Sequence, residues 1–109
     1  MEIEVNKDNY QQVVVNPGIP TVVDFWGPRC ERCLQLMPGM ERIAAAKGDQ
    51  LRLIKIDASQ NRRLCMNLRL LSLPAFLFYR DGQEVLRLTG DQLSEEDLQK
   101  AVDGLLAGK

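Results

Sequence analysis

The sequence contains no histidine and only three cysteines in 109 residues. Because structural zinc sites usually take four Cys or His ligands, the chain by itself cannot complete a zinc site of that kind. No apolar run approaches the roughly 20 residues of a membrane-spanning helix. The formal net charge of −1 gives no indication of a nucleic-acid partner or of an anionic membrane surface. We therefore expect no metal, no nucleic acid and no membrane among the partners of this protein.

The remaining composition is typical of a small globular domain. Hydrophobic residues make up 45% of the chain and charged residues 27%, and 109 residues are enough for one domain. We find no repeat or linker, so we predict a single domain over residues 1–109. The N-terminal stretch 1–5 is acidic and unlike a signal peptide, which indicates a cytoplasmic, reducing compartment. In such a compartment a close cysteine pair is more often catalytic than structural.

The hydrophobic pattern alternates between strand and helix periods along the chain. Strands are predicted at residues 3–5, 21–26, 51–57, 75–79 and 84–88. Helices are predicted at 6–15, 31–47, 61–67 and 94–106, with Asn6 and Ser94 as N-caps and Pro17-Gly18 as a stop. Asp81-Gly82 predicts a tight hairpin between the last two strands. This order predicts an α/β fold, a central mixed sheet with helices on both faces.

Two of these helices carry apolar residues at helical spacing, which should face the sheet. In helix 31–47 they are Leu34, Met37, Met40, Ile43 and Ala44. In helix 61–67 they are Leu64, Cys65 and Leu68. We therefore expect Cys65 to pack as a small core hydrophobe.

Cys30 and Cys33 stand three residues apart where a buried strand passes into a helix. In a first helical turn the Cβ atoms of residues i and i+3 are roughly 5–6 Å apart, so a small adjustment brings two thiols within disulfide range. The alternatives are two core cysteines or half of a zinc site. Arg29, Glu31 and Arg32 surround the pair and need water, which counts against a core role. The spacing indicates a dithiol–disulfide centre.

Local charge favours ionisation of the first cysteine. The start of a helix supplies unpaired N–H groups and a positive dipole end, which stabilise a thiolate on Cys30. Arg29 and Arg32 place two cations within a turn of it and tune its pKa downward, while Glu31 opposes them with one anion. We therefore predict that Cys30 is the more acidic thiol of the pair.

Asp24 interrupts an otherwise apolar strand. Burial should raise the pKa of its carboxyl group, because burial disfavours the charged form. The alternative is an exposed aspartate at a strand edge. A charge inside such a run costs free energy, so we favour a functional role for Asp24.

The chain resembles the thioredoxin family from end to end. Val23-Asp24-Phe25-Trp26 resembles the family's V-D-F-W strand, and Cys30 and Cys33 fall on its C-x-x-C pair. The other matches are Pro38 within the active-site helix, Lys55 beside the buried aspartate, Ser72-Leu73-Pro74 on the segment with the cis-proline, Asp81-Gly82 on the hairpin and Gly90 near the substrate groove. The resemblance implies the thioredoxin fold.

The active site departs from the family pattern W-C-G-P-C. Arg29 replaces the tryptophan before the first cysteine, and Glu31-Arg32 replace Gly-Pro between the cysteines. Ala75 stands where threonine usually follows the cis-proline. We interpret the chain as an atypical member with the motif Cys-Glu-Arg-Cys.

The resemblance implies a role for each site residue. Cys30 would be the nucleophile that forms a mixed disulfide with substrate, and Cys33 the resolving thiol. Asp24 would lie beneath Cys33 as its proton acceptor. Lys55 would tune the pKa of Asp24, although a solvated surface lysine is the alternative.

A docking rim for substrate proteins follows from the same resemblance. Its members would be Trp26, Pro28, Leu73, Pro74 and Gly90, with Pro74 in the cis form and the Leu73 backbone pairing with substrate. For Trp26, plain core packing is the alternative.

The resemblance implies a protein-disulfide reductase, an electron carrier in cell redox homeostasis. Its partners would be disulfide-containing client proteins and a flavoprotein thioredoxin reductase. It would act as a monomer, without a cofactor beyond the Cys30–Cys33 disulfide. The alternatives are a disulfide oxidant or isomerase, a non-catalytic binding subunit that uses the fold as a scaffold, and a glutaredoxin, for which the sequence shows no glutathione site.

Overall fold

Four strands form one mixed sheet in the order β2-β1-β3-β4 in the computed structural model, which describes residues 5–15 and 18–108. The strands are β1 (Thr21–Trp26), β2 (Arg52–Asp57), β3 (Ala75–Arg80) and β4 (Gln83–Thr89). β1 pairs in parallel with β2 and antiparallel with β3, and β3 pairs antiparallel with β4. β1 is therefore a central strand, as its uninterrupted burial from Thr21 to Phe25 requires.

Within the described residues, three α-helices cover this sheet, and they lie on both of its faces as predicted. They are α1 (Glu31–Lys47), α2 (Arg62–Asn67) and α3 (Glu95–Leu106). Alternate residues of β1 enter two separate cores. Val22 packs with Met40 of α1 and Leu98 of α3, whereas Val23 packs on the opposite face with Leu64 of α2. None of the helices in the described ranges is both long and apolar enough to cross a membrane.

The predicted turns and caps are present where the chain changes direction. Asp81 and Gly82 adopt positive φ angles of 54° and 79° between β3 and β4, a conformation that asparagine, aspartate and glycine tolerate best. Ser94 caps α3 by accepting the N–H of Asp97, and the Asp97 carboxylate accepts the N–H of Ser94 in return. The predicted N-cap at Ser94 is therefore confirmed, and it forms a capping box with Asp97.

The first predicted helix is wrong in extent and type. Only Gln11–Val15 forms a short π-helical segment, and residues 7–9 form a turn before it. The Asn6 side chain accepts the N–H groups of Asp8 and Asn9, so it closes a turn in place of the first turn of an α-helix. Residues 3–4 of the predicted first strand and Pro17 of the predicted stop lie outside the described residues, and Val5 is not in a strand.

The buried face of α1 is rotated from the predicted one. Leu34 is 44% exposed, whereas Leu36 is only 4% exposed. Cys33 faces the sheet, and the residues that follow it in successive steps of three or four positions also face inward. The buried stripe is therefore Cys33, Leu36, Met40 and Ile43, together with Gly39.

A buried pair of tyrosines joins the N-terminal segment to the sheet. The hydroxyl groups of Tyr10 and Tyr79 lie 2.8 Å apart, and the two rings meet edge to face with centroids 6.1 Å apart. Burial and this hydrogen bond raise the pKa of Tyr10, so its hydroxyl stays protonated. The bond spans 69 residues of sequence and fixes the Gln11–Val15 segment over β3.

Tyr10→Phe is expected to destabilise the protein by about 1–3 kcal/mol, because it leaves the buried Tyr79 hydroxyl without a partner. Tyr79→Phe should have a similar effect. The double variant should be less destabilised than the sum of the two, because no orphaned hydroxyl remains. Urea unfolding of the four proteins measures this cycle, and strictly additive losses would contradict it.

Candidate active site

Cys30 and Cys33 form a disulfide across the first turn of α1, with their Cα atoms 5.2 Å apart. Cys30 is the N-cap of the helix, in an extended conformation, and its Sγ accepts the N–H of Cys33 at 3.2 Å. Cys33 is fully buried, and Cys30 is half-buried. Only the first sulfur is therefore placed for contact with another protein, while the second lies against the sheet.

Asp24 lies fully buried in β1, on the face that α1 covers. Neither carboxylate oxygen has a hydrogen-bond partner within residues 5–15 and 18–108. Burial raises the pKa of this carboxyl from 3.8 to about 7, which is the expected effect of desolvation. The group can therefore take or give a proton near neutral pH.

Two side chains of opposite charge shift the pKa of this carboxyl group. Lys55 stands beside Asp24 in the parallel register of β1 and β2, and its Nζ donates to Glu41 Oε2 at 2.6 Å. The Lys55 ammonium lowers the pKa of Asp24 and the Glu41 carboxylate raises it, both by less than burial does. Lys55 thus combines the two roles that the sequence left open, since its side chain is 32% exposed and still acts on Asp24.

The Leu73–Pro74 peptide bond is cis, as the resemblance implied. Pro74 is buried, and its carbonyl accepts the N–H of Gly90 at 3.0 Å. Gly90 has a φ of 105°, which side-chain-bearing residues rarely adopt. A Cβ on Gly27 would lie 3.4 Å from Leu73 Cδ1, so the two loops pass close together beside Cys30.

A groove of about 690 Å³ opens next to the first cysteine. Its lining residues come from the loop after β1, the segment after β2 and the residue before the cis-proline: Gly27, Pro28, Arg29, Cys30, Ala58, Ser59, Gln60, Arg62 and Leu73. Pro28 and Leu73 of the predicted docking rim are therefore in it. Trp26, Pro74 and Gly90 are not among its lining residues.

The two arginines beside the cysteines point to different neighbours. Arg29 is exposed and lines the groove. Arg32 is half-buried, and its guanidinium donates to the Leu93 carbonyl at 2.5 Å and to Gln35 Oε1 at 3.1 Å. Trp26, at the end of β1, is half-buried, so part of its surface remains accessible.

Sequence reasoning missed the residues that follow β2. Ala58, Ser59, Gln60 and Arg62 line the groove, although they carry no motif. One signal could have found them, because the carboxyl ends of neighbouring parallel strands meet at one edge of a sheet. The segment after β2 had to lie beside the loop after β1.

Cys65 stands apart from this redox pair. It is half-buried in α2 and packs against the core between α2 and the sheet, as predicted. Burial raises the pKa of its thiol, so less of it is thiolate near neutral pH. No group of three or more His, Cys, Asp or Glu side chains is placed to hold a metal ion in the part of the chain that the structure describes.

Comparison with known proteins gives a consistent result. A family model described as Thioredoxin matches residues 1–104. A thioredoxin of Acetoanaerobium sticklandii is 35% identical over 98 residues, which cover 90% of this chain and 89% of that protein. A thioredoxin of Mycolicibacterium smegmatis is 32% identical over 105 residues, 94% of each chain. One of Peptoclostridium acidaminophilum is 30% identical over 100 residues, 92% of this chain and 91% of that protein.

Asp24 is expected to make the protein less stable as pH rises. Between pH 3.8 and about 7 the folded state keeps the proton on this carboxyl while the unfolded chain loses it. The free energy of unfolding should therefore fall over this window, by up to roughly 4 kcal/mol, and stay low above it. Asp24→Asn cannot ionise, so this contribution should disappear from its profile.

Urea unfolding of the oxidised proteins at pH 4, 5.5 and 8 measures the effect. Asp49→Asn, at an exposed position, is the matched control and should keep the wild-type pH dependence. Parallel profiles for wild type and Asp24→Asn would show that Asp24 does not carry the effect.

Proposed function

Since the chain belongs to the thioredoxin family, we propose that its disulfide reduction proceeds through Cys30 as nucleophile and Cys33 as resolving thiol. The family match and the close cysteine pair identify a thiol–disulfide oxidoreductase that reduces protein disulfides. The observation that carries the assignment of roles is the unequal burial of the two sulfurs. A half-buried Cys30 can reach a client, and a fully buried Cys33 can reach only Cys30.

The first step is attack by the reduced protein. The Cys30 thiolate attacks one sulfur of a client disulfide, the client S–S bond breaks, and the second client sulfur leaves as a thiolate that takes a proton from water. The position of Cys30 as N-cap supports this role, because the Cys33 N–H and the helix dipole stabilise negative charge on its sulfur. The product is a mixed disulfide between Cys30 and the client.

The second step releases the client. Cys33 loses its proton and attacks the Cys30 sulfur, the bond to the client breaks, and the client sulfur leaves with the electron pair. We propose that Asp24 accepts the Cys33 proton. Its pKa of about 7 and its position in β1 beneath α1 support this, since a base near neutrality serves such a transfer best. Two electrons pass to the client, and Cys30–Cys33 ends as a disulfide.

We propose that the client docks at the rim around Cys30. Pro28 and Leu73 line the groove there, and Trp26, Pro74 and Gly90 lie on the adjoining segments. Leu73 is half-buried and lines the groove, which supports pairing of its backbone with an extended client segment.

Members of the family act on disulfide-containing proteins and are reduced by thioredoxin reductase. For this chain we propose a flavoprotein thioredoxin reductase as electron donor, and the cysteine pair as its only redox group. A reductant needs a compartment that keeps its thiols reduced, so we propose that it works in the cytoplasm. We further propose that it acts as a monomer.

Cys33→Ser is expected to accumulate the mixed disulfide, because the attack that releases the client is lost. Mixing the reduced variant with an insulin substrate and resolving the products by non-reducing electrophoresis and mass spectrometry should locate the client on Cys30. Limiting iodoacetamide near neutral pH should also label Cys30 first in the reduced wild type.

Cys65→Ser is the matched control for the trapping experiment. It should keep insulin reduction, since Cys65 belongs to the core beside α2. A client adduct on Cys33 or Cys65, or labelling of either before Cys30, would contradict the assignment.

Asp24→Asn is expected to slow release of the client from the mixed disulfide by about 10- to 100-fold at and below neutral pH, because the proton acceptor is lost. In the pH–rate profile, Lys55→Met should move the inflection to higher pH and Glu41→Gln to lower pH, following their effects on the pKa of Asp24. Stopped-flow Trp26 fluorescence follows the reaction. Profiles that coincide across these variants would rule out the proton role.

A further inference from the structure

We infer that the groove beside Cys30 selects client segments that carry an acidic side chain next to the disulfide cysteine. This inference rests on the proposed function, because the client reaches the groove only if Cys30 is the nucleophile. It concerns which clients react fastest, which neither the fold nor the cysteine pair decides.

The charges of the groove carry the argument. Arg29 and Arg62 line it from different segments, the first before Cys30 and the second at the start of α2. Both are exposed, and neither has a hydrogen-bond or ion-pair partner among the described residues. No carboxylate is among the lining residues of this groove. Two arginines therefore line the groove, and among its other lining residues only the Cys30 thiolate of the reduced protein carries a charge.

The carboxylates on neighbouring segments form no ion pair with these arginines. Asp8 lines another groove together with Arg62, but its Oδ1 pairs with Lys7 Nζ at 2.9 Å. Asp57 stands just before the groove-lining segment, but its Oδ1 accepts the N–H of Ser59 at 2.9 Å and the hydroxyl of Ser59 at 2.6 Å. Glu31 is exposed in the first turn of α1, outside the groove lining. A client carboxylate in the groove would therefore find both guanidinium groups available.

A second groove extends the surface beyond Arg62. It has a volume of about 450 Å³ and shares Ala58, Arg62 and Leu73 with the first. Leu71, which also lines it, is 96% exposed. An extended client chain would thus pass Cys30 and Arg62 before reaching an apolar surface.

The guanidinium group of arginine is well suited to bind the carboxylate of a client side chain. Arginine presents a planar set of donors that binds a carboxylate by two parallel hydrogen bonds. One residue of an extended chain advances about 3.3 Å, so acidic residues adjacent to the client cysteine fall within the groove when that cysteine contacts Cys30. Because both arginines are exposed, the expected preference is modest and depends on salt.

Two quenched fluorescent disulfide peptides test the inference, one with Glu and the other with Gln on either side of each cysteine. Pre-reduced protein is mixed with each peptide in a single-turnover stopped-flow experiment, so no recycling enzyme is needed. At low ionic strength the Glu peptide should react about three- to fivefold faster. The ratio should approach one in about 0.5 M salt.

Arg62→Gln should lower this ratio by at least half, whereas Arg63→Gln should keep it. Arg63 is the matched control, because it is an exposed arginine of the same helix that does not line the groove beside Cys30. Arg29 is left unchanged, since it also stands beside the nucleophile.

Three results would overturn the inference while leaving the proposed function intact. If the wild-type protein reduces the Glu peptide no faster than the Gln peptide, the groove does not favour acidic client segments. Equal ratios in wild type and Arg62→Gln, or a ratio that salt does not change, exclude the guanidinium contact. If neither peptide is reduced, the proposed function fails and the inference with it. Reduction of both at equal rates refutes the inference alone.

Discussion

The packing of the first turn of α1 on the carboxyl end of β1 is the contact on which the rest of this structure depends. It turns Cys33 inward to full burial and leaves Cys30 at the helix start, half-buried. The same contact encloses Asp24 beneath the helix. The packing of α1 on β1 therefore makes the Cys30 sulfur more accessible to other proteins than the Cys33 sulfur. The helix start then favours the thiolate where access is greatest.

The burial of Asp24 lowers the free energy of unfolding above neutral pH, and it places the proposed proton acceptor beneath α1. An ionised carboxylate without hydrogen-bond partners among the described residues is unfavourable in a buried layer, so its pKa rises to about 7. Lys55 and Glu41 form an ion pair at the edge of this layer and act on the carboxyl group with opposite signs. A residue whose ionisation weakens the fold is thereby suited to the proton transfer proposed for it, and such compromises are common at functional sites.

The groove beside Cys30 arises from the pairing of β1 with β2. Because the strands are parallel neighbours, the loops that leave them meet at one edge, and Arg29 comes to face the same groove as Arg62. The two residues are far apart in sequence and share no motif. Arg29 stands where the family usually has a tryptophan before its first cysteine.

Local pattern alone determined much of this protein. The spacing of Cys30 and Cys33, the strand around Asp24, the cap at Ser94 and the hairpin at Asp81 each depend on neighbouring residues, so the sequence predicts them correctly. Rotation of α1, which exposes Leu34 and buries Leu36, was decided by the sheet beneath it. The groove residues after β2, the Tyr10–Tyr79 bond and the effect of Glu41 on Asp24 also required the tertiary structure. The physical reason is that burial and contact between distant segments exist only once the chain has folded.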